Sequence, residues 1–307
     1  MKSVFITGST GFIGSTLGTH LHNLGLSIVG LAHDRKAGLS LPFTLVYADV
    51  LDTAELYRVL VDYDVDTVFH LAAQSIVKKS FTDPQSTWRV NALGTVSLLE
   101  ACRRHRTHSI VVAATDKVYG VGPVPYVEDQ PLSGQEPYPA SKVAVDVAAR
   151  SYAHSFGMNI RVVRSANVYG PGDLELSRLV PRSIHRMLIQ RRPAILYTGA
   201  LNMVREFVYI TDEIQAFLAV EERGQIGEAY NVYGSGPVAV SEVMEQLRQL
   251  CDGQVEYQER DFHEIQVQWM DPKKVTALGY APSVFLADGL AATVQWFKSL
   301  PDAIRST

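Results

Sequence analysis

The chain has 307 residues, 47% of them hydrophobic, and a formal net charge of −4. That is enough apolar material for a full core, in one large or two modest domains. The slightly acidic balance, without any basic block, argues against nucleic acid or an anionic membrane surface as a partner, and no apolar run is long enough to span a bilayer.

The first residues form a short apolar run, Ser3-Val-Phe-Ile-Thr7, with no signal-peptide pattern, so a cytoplasmic protein is expected. Gly8-Ser-Thr-Gly11-Phe-Ile-Gly14 and a helical stretch through Leu24 follow. Strand, glycine loop and helix in that order predict a dinucleotide site. Gly8 and Gly11 allow a tight turn close to a pyrophosphate, Gly14 lets helix and strand pack closely, and the helix N-terminus attracts the anion. The next strand, Ser27–Ala32, leads to Asp34, twenty residues after Gly14, the distance at which a carboxylate meets the adenosine ribose of NAD. His33 and Arg35 flank it and could instead greet a 2′-phosphate, but the carboxylate favours NAD. Thr44 to Val50 resembles a third strand, with Asp49 near the adenine.

Asp66 to Ala73 predicts a fourth strand ending in small residues that leave room for a cofactor. Asn91 opens a helix to His105, either tying it to the neighbouring strand or capping it. Ser109–Thr115 is a buried strand ending in Thr115-Asp116-Lys117. Tyr138 and Lys142 then lie four apart, on one face of a helix in which Pro139 suits the first turn. An ammonium beside a phenol favours the phenolate, which makes a general base. Alone, the pair could be a surface tyrosine and lysine, and Asp116-Lys117 a salt bridge. The helix Ala140 to Phe156 follows the tyrosine, and Asn159–Arg164 is the next strand. Alternating strands and helices argue for a doubly wound parallel sheet covered on both faces. The rhythm changes after Arg164, placing a dinucleotide-binding domain at 1–164 and a smaller mixed α/β substrate domain at 165–307, with segments near 205–233 returning to the first. In that second half Asp212 is expected to cap one helix and Ser241 another. Cys102 and Cys251 match no metal or redox spacing and are expected reduced and buried; no residue cluster has metal-ligand spacing, and no metal is expected.

Taken together, Thr7-Gly8-x-x-Gly11-x-x-Gly14, His70-Leu-Ala-Ala73, Asn91, Val118-Tyr-Gly120, Tyr138-x-x-x-Lys142, Asn167-Val-Tyr-Gly-Pro-Gly172 and Arg205-x-Phe-Val-Tyr-Ile-Thr-Asp212 resemble the extended short-chain dehydrogenases/reductases, the NAD-dependent epimerase/dehydratase family acting on nucleotide sugars. The resemblance covers nearly the whole chain and implies a Rossmann-like fold with NAD held by Gly8, Gly11, Phe12, Ile13, Gly14, Asp34, Asp49, Val50, Leu71, Ala72, Ala73, Asn91, Tyr138 and Lys142. It implies catalysis by Thr115, Asp116, Lys117, Tyr138 and Lys142. It puts the nucleotide-sugar substrate against Gln74, Asn167, Leu179, Val180, Arg205 and Arg260. Asp116-Lys117 after the threonine is similar to the acid–base pair of 4,6-dehydratases. With Arg178-Leu-Val-Pro181 and His263-Glu264 it points to the CDP-glucose type. Arg205-Glu-Phe-Val-Tyr209 is similar to the epimerase version of its strand. The alternatives are a 4-epimerase and an NADP-dependent 4-keto-sugar reductase. Relatives pair through two helices, here Val90–His105 and Ala140–Phe156, so a homodimer is expected.

Overall fold

The computed structural model describes residues 1–33, 40–259 and 264–301. In chain order the strands are β1 (Ser3–Thr7), β2 (Ser27–Ala32), β3 (Thr44–Tyr47), β4 (Thr67–His70), β5 (Ser109–Thr115), β6 (Ile160–Ser165), β7 (Asn167–Tyr169), β8 (Ala194–Tyr197), β9 (Val204–Tyr209), β10 (Ala229–Val232), β11 (Pro237–Ala239) and β12 (Val255–Gln258). The helices are α1 (Phe12–Asn23), α2 (Thr53–Asp62), α3 (Val77–Thr82), α4 (Pro84–Trp88), α5 (Gly94–His105), α6 (Pro137–Phe156), α7 (Leu179–Ile184), α8 (Ile210–Arg223), α9 (Val240–Leu250), α10 (Lys273–Thr276) and α11 (Leu286–Ser299).

Among the described residues one parallel seven-stranded sheet runs β10-β6-β5-β4-β1-β2-β3. The chain starts in the middle, winds outward through β2 and β3, then returns to β4 on the other side of β1. That reversal opens a crevice at the C-terminal strand ends, where open α/β sheets bind ligands. Successive residues of β1 face opposite ways, as the two-residue strand period demands. Val4 and Ile6 pack with Leu17 and Leu21 of α1 and Ile214 and Phe217 of α8. Phe5 packs with Leu56 and Leu60 of α2 and Leu98 and Leu99 of α5. Both faces are therefore dry, so the central strands are continuously apolar rather than alternating. The result is a Rossmann-like doubly wound sheet.

A third core lies apart, built on Val180 and Ile184 of α7, Val243 and Met244 of α9, and Leu290 and Val294 of α11. Two small sheets, β11-β9-β7 and β12-β8, accompany it. β10, although late in sequence, pairs with β6 and extends the large sheet. No helix is long and apolar enough to cross a membrane among the described residues. Cys102 and Cys251 are both free and buried.

Several element ends differ from the sequence expectation. The helical run around Asn91 starts earlier, at Pro84, where Asp83 accepts from the backbone N–H of Ser86 at 3.0 Å and the proline fills the first position. Asn91 then sits inside a π-turn, Arg89–Leu93, rather than at a helix start. α6 begins at Pro137, not after Tyr138, because Pro137 rather than Pro139 takes the first position. Asp212 does not cap α8. Its carboxylate accepts from Ser283 N at 3.1 Å and Val284 N at 3.1 Å, tying α8 to the segment ahead of α11. Ser241 lies within α9, whose N-cap is Ala239.

Candidate active site

The glycine loop is held by a hydrogen-bonded relay through the core. Gly8 has φ +70°, and a Cβ there would meet the backbone of Leu71 and Ala72 at 2.8 Å, so only glycine suits the position. A Cβ on Gly14 would lie 2.3 Å from the Gly8 carbonyl oxygen. Thr7 Oγ1 accepts from the backbone N–H groups of Leu71 at 3.2 Å and Ala72 at 3.1 Å and lies 2.7 Å from His70 Nδ1. Thr95 Oγ1 donates to the Asn91 carbonyl at 2.6 Å and lies 2.9 Å from His70 Nε2. A hydroxyl has one proton, so Thr95 accepts from His70, which assigns the imidazole proton to Nε2 and makes Nδ1 the acceptor for Thr7. The ring is neutral: burial, and then the charge of Lys142, pull it down to about 3. Beyond the loop, α1 has neither a side-chain cap nor an acidic residue in its first turn, which leaves its backbone donors free for an anion. The loop thus fits a dinucleotide pyrophosphate.

Asn91 completes the relay. Its amide donates to the Gln74 carbonyl at 3.1 Å and to Ser141 Oγ at 2.9 Å, and its oxygen accepts from Gln74 N–H at 2.8 Å. The residue is fully buried and joins the β4 loop to α6. Of the two roles open in the sequence, the tie is the one the structure has. Asn91 therefore acts by positioning its neighbours rather than by facing the crevice.

At the end of β5, Thr115 Oγ1 donates to Asp116 Oδ1 at 3.0 Å, and Lys117 Nζ donates to the same oxygen at 3.2 Å and to Asn167 Oδ1 at 3.3 Å. Asp116 is 1% exposed and sits behind Thr115 and Lys117, which line a cavity of about 920 Å³ together with Tyr138 and Ile13. Lys142, one turn along α6 from Tyr138, donates to the Ala113 carbonyl at 2.8 Å. Its electrostatic effect on the phenol is not the one expected from the spacing. Burial and then the negative Asp116 push Tyr138 up to about 12, against weaker opposite pulls from Arg178 and the Thr115 hydrogen bond. Burial brings Lys142 down to about 8. In a low-dielectric wall desolvation outweighs the through-space help of an ammonium.

Asn167, Leu179, Val180 and Arg205 all line the cavity. Arg205 Nη1 donates to the Val204 carbonyl at 2.9 Å and Nη2 lies 3.5 Å from Glu264 Oε2. Gln74 does not reach the wall: its Nε2 donates to Thr87 Oγ1 at 3.0 Å and its Oε1 accepts from Ile76 N–H at 2.8 Å, bracing the loop, while Ile76 and Lys78 face the cavity. Asp49 is exposed and accepts from Leu51 N–H at 3.0 Å, Val50 is buried against Gly94, and Leu71, Ala72, Ala73 and Phe12 are half-buried about the crevice. Asp34 and Arg260 lie outside the described residues, as does His263. Asp173, Arg178 and Glu213 are among the cavity residues that the sequence analysis did not name as site residues. Asp173 holds Arg178 at 3.0 Å, and Glu213 accepts from Ser165. Aspartate and arginine five apart after a turn were a usable signal for the first two; nothing local marks Glu213.

The sequence pattern of the NAD dependent epimerase/dehydratase family matches residues 4–232. A dTDP-glucose 4,6-dehydratase from Streptomyces griseus is 38% identical over 237 residues, 76% of this chain and 71% of that protein. A UDP-glucose 4-epimerase from Mycolicibacterium smegmatis is 33% identical over 312 residues, 96% of this chain and 98% of that one. Among solved structures, a dTDP-glucose 4,6-dehydratase from Streptomyces venezuelae with NAD bound superposes with a TM-score of 0.88 at 28% identity, covering 96% of this chain and 97% of the other. The UDP-glucose 4-epimerase of Thermotoga maritima with UDP-glucose gives 0.90 at 25% identity, covering 96% and 98%.

Proposed function

The chain belongs to the NAD dependent epimerase/dehydratase family, and from that premise we propose that it is an NAD-dependent nucleotide-sugar 4,6-dehydratase. The observation that carries this is the second acid–base pair. Lys117 lines the cavity with Thr115 and Tyr138, and Asp116 lies directly behind it at a hydrogen-bond distance of 3.2 Å. Oxidation and reduction at one carbon need only the tyrosine; removal of a hydroxyl needs a further base and a further acid. NAD held by the Gly8–Gly14 loop would supply the hydride exchange between carbon 4 and carbon 6 of the hexose. Tyr138 takes the proton of the 4-hydroxyl, and Thr115 hydrogen-bonds the same oxygen. The resulting 4-ketone acidifies carbon 5. Lys117, in its neutral form, removes that proton. The proton shared along the Lys117–Asp116 hydrogen bond sits on Asp116 when Lys117 is neutral, and from there it leaves with the 6-hydroxyl as water, the proton taken from carbon 5 staying on Lys117. Lys142 anchors the cofactor ribose, and Arg205 and Asn167 hold the diphosphate, a task suited to a guanidinium fork.

CDP-glucose is the first substrate to test, on the strength of Asp116-Lys117 and Arg178-Leu-Val-Pro181, with dTDP-glucose as its competitor from the relatives. A 4-epimerase is the second reading, favoured by the full-length likeness to UDP-glucose 4-epimerases. Incubation with CDP-, dTDP-, UDP- and GDP-hexoses without added reductant, followed by mass spectrometry, separates them. A dehydratase product is lighter by one water and carries solvent deuterium at carbon 5, whereas an epimerised sugar keeps its mass. Asp116→Asn and Lys117→Ala are expected each to abolish loss of water while NAD binding persists. Near-full dehydration by either variant removes that residue from its role.

A further inference from the structure

We propose that Glu213 and Ser165 form a receptor for a planar carboxamide at the catalytic end of the cavity, that of the nicotinamide ring. Glu213 stands in the first turn of α8, is fully buried, and lines the cavity with Ser165. One carboxylate oxygen, Oε1, accepts from the Ser165 hydroxyl. The other, Oε2, has no hydrogen-bond partner among the described residues. A buried carboxylate oxygen left unmatched is costly, so a donor brought by a ligand is the natural complement.

The position tells which donor. Ser165 is the cross-strand neighbour of Thr115 in the β5–β6 register, about 4.8 Å away in a parallel sheet. Thr115 in turn lines the cavity with Tyr138. A ring whose reacting carbon faces Tyr138 therefore has Ser165 and Glu213 one strand further along. Between them the wall is Ala113, Ala114 and Ala166, small and apolar, which accommodates a flat ring but offers its substituent no side-chain acceptor. Glu213 Oε2 is the carboxylate oxygen left unmatched there, and an amide N–H is the matching donor. Burial pushes the Glu213 carboxyl up to about 7, so the accepting form prevails at about pH 8. The proposal rests on NAD binding and is independent of the choice between dehydration and epimerisation.

The test uses the intact protein, freed of bound nucleotide, at about pH 8, and calorimetric titration without any sugar. NAD is compared with 3-acetylpyridine adenine dinucleotide, which keeps the carbonyl and lacks the amide N–H. The wild type is expected to prefer NAD by about tenfold or more, the worth of a hydrogen bond to a charged group. Glu213→Leu should bring the ratio near one, bind the analogue as the wild type does, and melt no lower. Ser165→Ala, which removes only the orienting hydroxyl, should reduce the ratio by less and serves if the leucine variant does not fold. A ratio unchanged in these variants, or absent in the wild type, overturns the assignment and leaves Glu213 a buried acid satisfied by water. A wild type that binds neither nucleotide overturns NAD binding itself, and this receptor with it.

Discussion

Tyr138 and Lys142 stand one helical turn apart, but the charge nearest the phenol in effect is that of Asp116. Burial raises the phenol first, and the carboxylate, which disfavours a neighbouring phenolate, raises it further. Removing the charge must act in the opposite sense. Asp116→Asn is therefore expected to move the Tyr138 transition from about 12 to lower pH, read as the phenolate absorbance lost in a Tyr138→Phe background. A transition that stays in place would mean that burial alone sets the phenol. The Tyr-x-x-x-Lys spacing announced the pair because a helix fixes what lies four residues on. Nothing in that spacing announced Asp116 as the dominant charge, since the two are brought together by the packing of α6 on β5.

The π-turn at Arg89–Leu93 is the element on which the site's framework turns. Such turns insert one residue into a helix and often mark functional positions. Here the turn points Asn91 inward, where it meets Gln74 and Ser141 of two other elements. Ser141 lies between Tyr138 and Lys142 in sequence, so this tie fixes the rotation of α6 about its axis. Asn91→Ala would strand one donor, the Gln74 N–H, and two acceptors, the Gln74 carbonyl and Ser141 Oγ, at a cost of about 1–3 kcal/mol for each group left unmatched. The expected result is a lower denaturation midpoint and a fall in kcat larger than any change in KM. A variant with unchanged stability would show that the tie is dispensable. The asparagine was visible in the sequence, and both tie and cap were compatible with it. A helix that begins seven residues earlier, at Pro84, decides between them.

At the scale of the whole molecule a buried ion pair joins parts of the chain far apart in sequence. Arg164 of β6 forks onto Asp146 of α6 at 2.8 and 3.1 Å, and its Nη1 donates to Tyr119 Oη at 2.7 Å and the Glu128 carbonyl at 2.9 Å. Tyr119 Oη donates to Asn231 of β10 at 2.6 Å. Neither charge is exposed. Truncating one partner leaves the other buried and unpaired, so Arg164→Ala is expected to cost about 3–5 kcal/mol. Chemical denaturation would read this directly, and a loss below about 1 kcal/mol would mean that water replaces the guanidinium. The sequence by itself determined the parallel sheet, the glycine loop, and the Thr115, Tyr138 and Lys142 positions, because each follows from a local period or a fixed spacing along one element. Only the tertiary structure decided that the returning segment pairs with β6 as the edge strand β10, that Gln74 turns to Thr87 instead of the cavity, and that Glu213 meets Ser165. Those outcomes depend on which distant segments share a wall, and burial there, unlike backbone periodicity, leaves no mark on the neighbouring residues of the chain.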